Sequence, residues 1–83
     1  MPRYFLNIRD GEAFVPDEEG RYFPDLDHAV EEARQSARDL LADQLRAGEK
    51  LDGQRIEIVD SSGRVLHQVT FKSVIERLGP VIH

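Results

Sequence analysis

Apolar and polar side chains alternate at the start of the chain. In RYFLNIRD, Arg3 to Asp10, one face holds Tyr4, Leu6 and Ile8 and the other holds Phe5, Asn7 and Arg9. Period two over this length predicts a strand with one buried face, ended by the Asp10-Gly11 turn signal. The next stretch, EAFVPDEEG, reads as a loop with a short extended piece at Phe14-Val15, stopped by Pro16. A brief strand follows at Arg21 to Phe23 before Pro24, so the two strands form an antiparallel hairpin around an irregular excursion.

From Asp25 the period changes. Leu26, Ala29, Val30, Ala33, Ala37, Leu40, Leu41 and Leu45 fall on one helical face, with charged and amide side chains opposite. Asp25 is a good N-cap, Asp27 suits the positive end of the helix dipole, and Gly48 supplies a left-handed terminator. The expected helix spans residues 26–47.

Beyond a turn at Leu51 to Gly53, QRIEIVD and RVLHQVT flank DSSG, a second hairpin. An even loop count places Ile56, Ile58, Val65, His67 and Val69 on one face, and this cleaner segregation is the preferred register. Phe5, Val59 and Leu66 then lie on the face away from the helix. In the tail, Ser73 and Glu76 have capping-box spacing, with Val74, Ile75 and Leu78 covering an edge and Gly79-Pro80 ending the turn. The pieces assemble as two-layer ββαββ: a four-stranded, mostly antiparallel sheet, one long helix on one face, and a short C-terminal helical turn. At 83 residues, one small α+β domain is expected.

Charge sharpens this picture. The chain has a net charge of −5, yet residues 10–27 alone carry seven acids against Arg21, a local −6. The other residues sum to +1. Binding to a phosphate backbone rests on clustered Lys and Arg, so DNA is not an expected partner. With no cysteine, disulfides, thiolate metal sites and cysteine nucleophiles are excluded. No apolar run approaches the roughly 18 residues of a membrane helix. The N-terminus alternates like a strand and not like a signal peptide, which makes the cytoplasm the expected location.

The segment RDGEAFVPDEEG, Arg9 to Gly20, is the main candidate for chemistry. It fails the Ca²⁺-loop pattern from either Asp10 or Asp17, because the third and fifth ligand positions are Glu12 and Phe14, or Glu19 and Arg21. A weak divalent-cation site is the residual metal reading, set against a solvated loop. His28, His67 and His83 fit no ligand pattern. His67 is expected to point toward the helix as a hydrogen-bonded core residue, and Ser61 and Ser62 to act as turn formers. Tyr4, Phe5, Tyr22 and Phe23 are aromatics on adjacent strands, the type of surface that stacks RNA bases, but they lack basic-aromatic motifs and sit beside the negative loop.

The strand ending Arg9-Asp10-Gly11, the DEEG at Asp17 to Gly20, and SGRVL at Ser62 to Leu66 together resemble a family of short proteins common in rhizobia and related alphaproteobacteria. The resemblance covers about residues 2–71. That family is a domain of unknown function with no established activity, so the resemblance carries no catalytic residues over to this chain. The expected function is a non-catalytic protein-interaction or self-association module, with Asp10, Glu12, Asp17, Glu18 and Glu19 as its partner surface. The alternative is a small-ligand or divalent-metal-dependent enzyme using the same carboxylates, and RNA binding is a distant third.

Overall fold

The computed structural model describes residues 1–48 and 53–77. Strand β1 (Arg3–Asp10) leads through β2 (Ala13–Val15) and β3 (Arg21–Tyr22) to helix α1 (Leu26–Ala47). Strands β4 (Gln54–Val59) and β5 (Val65–Thr70) follow, and helix α2 (Phe71–Arg77) starts directly after β5. The sheet is antiparallel in the order β2-β1-β4-β5, with β3 pairing the first residues of β1. This is the α+β architecture expected from the pattern, with five strands in place of four. The extra strand forms because Gly11, at φ 61°, takes the first position of a two-residue loop between Asp10 and Ala13. That position demands a positive φ in a type II′ hairpin, and the chain turns straight back on β1.

Leu6, Ile8, Ile56, Ile58 and Val69 face the helices, with Leu6 opposite Ile58 and Ile8 opposite Ile56. Ala29, Ala33 and Ala37 of α1 are wholly buried against this layer, their small side chains allowing close approach. Asp25 caps α1, its carboxylate accepting from the His28 amide at 2.9 Å, and Gly48 ends it at φ 74°. Leu45 departs from expectation. It is 65% exposed.

The second hairpin holds the even register through Ile56–Val69 and Ile58–His67, then shifts so that Val59 meets Val65. Leu66 is the extra residue of a bulge, and Val65 leaves the helix-facing row to which the pattern assigned it. His67 keeps its place in that row yet is exposed, because burial on β5 is confined to Val69, nearest α2. It is therefore not a core residue. Ser73 is not the helix cap either. Its amide donates to Thr70 Oγ1 at 3.0 Å and its hydroxyl to Thr70 O at 2.7 Å, making Thr70 the N-cap. Phe71, 1% exposed, and Val74 anchor α2 in the core, whereas Ile75 is exposed. The start of the turn expected at Leu51-Asp52 and the helix end expected at Leu78 to Pro80 lie outside the described residues.

Candidate functional site

The acidic segment is built around Asp17. Between the residues of β1 that pair with β2 and those that pair with β3, positions 5–7 have no strand on that edge. Asp17 fills the gap. Its Oδ2 accepts from the Leu6 amide at 3.1 Å and its Oδ1 from the Gly20 amide at 3.0 Å. Its own amide donates to Asn7 Oδ1 at 2.8 Å. A side chain thus supplies the acceptor that a neighbouring strand would have offered. Gly20 closes the loop at φ 69°, where an added Cβ would lie 2.8 Å from the Phe5 ring and 2.9 Å from Tyr4 O. The Arg3 guanidinium holds the loop from the other side, donating through Nε to Glu19 O at 2.8 Å and also through its terminal nitrogen.

Of the five expected partner-surface residues, two have structural duties. Asp17 holds the loop, and Asp10 accepts from Gln54 Nε2 at 3.2 Å. Glu12, Glu18 and Glu19 are exposed, with no side-chain partner among the described residues. The five carboxylates do not converge: no group of three acidic or histidine side chains among the described residues is placed to hold a metal ion.

Beside Asp17 lies a cleft of about 180 Å³, lined by Leu6, Asp17, Arg21, Phe23, Glu32 and Ser36. Leu6 and Phe23 provide its apolar lining, and Arg21 meets Glu32 at 3.0 Å at its rim. In the sequence Glu32 reads only as part of the polar side of α1, and Ser36 only as a serine with no histidine and carboxylate beside it, so neither is legible there as part of this cleft. A second hollow, about 270 Å³, is lined by Gly53, Gln54, Arg55, Thr70 and Lys72.

The sheet face away from α1 is not bare. Arg9 stacks over Phe14 at 4.4 Å and pairs with Glu57 at 3.0 Å, and Arg3 lies over Phe5 at 5.1 Å. Arg55 approaches the other oxygen of Glu57 at 3.8 Å. The long arginine stems cover the pleat, leaving Glu57 and Val59 buried. The aromatics considered for RNA divide accordingly. Tyr4 and Phe23 pack together in the core, Phe5 already carries a guanidinium, and Tyr22 is exposed.

The titrating groups with perturbed pKa values are elsewhere, Asp25 and His28 exposed and Asp60 half-buried. The His28 ring meets Asp25 at 2.7 Å; this hydrogen bond holds the Asp25 carboxyl below its ordinary value and raises His28. Asp60 is lowered by the Ser62 hydroxyl at 2.6 Å and by the Arg64 amide, which accounts for Ser62 as a turn former. No helix among the described residues is long and apolar enough to cross a membrane.

A family model described as a domain of unknown function, DUF6894, matches residues 3–72. No curated protein and no solved structure matches the chain.

Proposed function

This chain belongs to the DUF6894 family, a domain of unknown function, and we propose that it is a non-catalytic interaction module that receives a basic segment of a protein partner. It works in this reading in a bacterial cytoplasm. The observation that carries it is the division of labour in the acidic segment. Asp17 fixes the loop, while Glu12, Glu18 and Glu19 stay exposed and unneutralised by any described residue. The adjoining cleft suits a lysine side chain: Leu6 and Phe23 match the aliphatic stem, Asp17 keeps lone pairs for the ammonium beyond its two amide bonds, and Glu32 receives it in exchange for Arg21. A docked cation there also relieves the crowding of like charge in residues 10–27.

The test is a titration of the full chain with a lysine-rich peptide, followed by amide shifts in NMR. Shifts are expected at Leu6, residues 17–20 and Glu32. They should fade as salt is raised from about 0.05 to 0.5 M, where the Debye length contracts severalfold. The double variant Glu18→Lys/Glu19→Lys should lose most of the response. Shifts absent at low salt, or unchanged by the double variant, would sink the reading.

A further inference from the structure

Strand β5 ends the sheet, and its outer edge faces no strand among the described residues. Such an edge presents a row of backbone donors and acceptors, which natural proteins usually blunt with lysine, proline or a bulge. Here Val65–Thr70, VLHQVT, carries no Asp, Glu, Lys or Arg in a chain that is 33% charged. All of its residues except Val69 are exposed, and Val65 and Leu66 add apolar surface. Its one protecting device, the bulge at Leu66, sits at the turn end and leaves His67 to Thr70 regular.

The opposite side of the sheet differs in every respect. There β1 is covered by β2, by the Asp17 carboxylate and by β3. Its flanking segment holds the whole excess negative charge of the chain. Two copies meeting through that side would set like charges against each other, whereas at β5 they meet through a neutral strand.

We propose that β5 pairs antiparallel with β5 of a second copy, joining two sheets into one. A two-fold axis perpendicular to the sheet puts both α1 helices on the same side, so only residues of the same face can lie opposite each other. One residue therefore lies directly opposite its own copy, with the axis between the two. Gln68 and Val69 flank the centre of the regular stretch, and Gln68, the exposed one of the two, takes the axis; His67 then lies opposite Val69 of the second copy. The interface is distinct from the acidic surface, so either proposal can fail alone.

Sedimentation velocity of the full chain from micromolar to millimolar concentration tests this, with amide hydrogen exchange measured at both ends of the range. A monomer–dimer equilibrium is expected, with slower exchange on β5 at high concentration. Gln68→Lys places like charges at the axis while facing Glu57 of its own chain. It should weaken the dimer at least about tenfold. His67→Lys, beside the axis, is the second variant, and circular dichroism checks that each is folded. The Glu18→Lys/Glu19→Lys protein should dimerise as the parent does. A monomer at all concentrations, or a dimer that neither β5 variant weakens, would overturn the proposal, as would concentration-independent exchange on β5.

Discussion

Replacing Asp17 with alanine removes the acceptor for two backbone amides at once, those of Leu6 at 3.1 Å and Gly20 at 3.0 Å. Hydrogen bonds to a charged acceptor contribute about 1.5–3 kcal/mol each. The site is part-buried, and water can partly replace the lost oxygens. We therefore take a value at or just below the lower end, about 2–3 kcal/mol for the pair. For a domain of this size each kcal/mol moves Tm by about 4–8 °C. The expected drop is about 10–20 °C, and the cost of about 2–3 kcal/mol is a large share of the 5–15 kcal/mol typical of a folded domain. Asp17→Asn keeps one acceptor oxygen and should lose about half as much. Glu18→Ala removes a neighbouring carboxylate of equal charge with no described partner, and should stay within about 0.5 kcal/mol. Thermal and urea denaturation followed by circular dichroism measure all three. If Asp17→Ala costs no more than Glu18→Ala, the loop is not held by its carboxylate and the structural role argued for Asp17 is wrong.

Two further outcomes test other parts of the molecule. Phe71→Ala empties a site that is 1% exposed and should cost about 3–5 kcal/mol in urea unfolding. Ile75→Ala, on the exposed side of the same short helix, should cost under about 1 kcal/mol. At the other end of the fold, the raised pKa of His28 comes first from its hydrogen bond to Asp25. The contribution of protonated His28 is fully present below its unfolded value of 6.5 and is lost as pH rises through its higher folded value. That of Asp25 is present above 3.8 and is lost as pH falls through its lowered folded value. The pair therefore acts between these limits. In Asp25→Asn, which preserves an N-cap, the NMR titration midpoint of His28 should fall toward 6.5. An unmoved midpoint would remove Asp25 as the cause.

Local pattern alone settled much of this molecule. The 3.6-residue repeat, Asp25 and Gly48 bounded α1 to the residue, because caps and periodicity are properties of neighbouring positions. Alternation placed Tyr4, Leu6 and Ile8 on the buried side of β1 for the same reason, and the asymmetry of charge was plain from the residues themselves. What required the tertiary structure was each choice between distant partners. Whether Thr70 or Ser73 caps α2 depended on where β5 ends, and that depends on its pairing with β4. His67 and Leu45 carry the right period yet stay exposed, because burial depends on what lies across from a face and not on the face itself. The acidic loop shows the limit most clearly. In the sequence Asp17, Glu18 and Glu19 are three equivalent charges, but only Asp17 meets the unpaired amide of Leu6, eleven residues away. Its role is fixed by a gap in the strand ladder, and such a gap exists only once β2 and β3 have docked on β1.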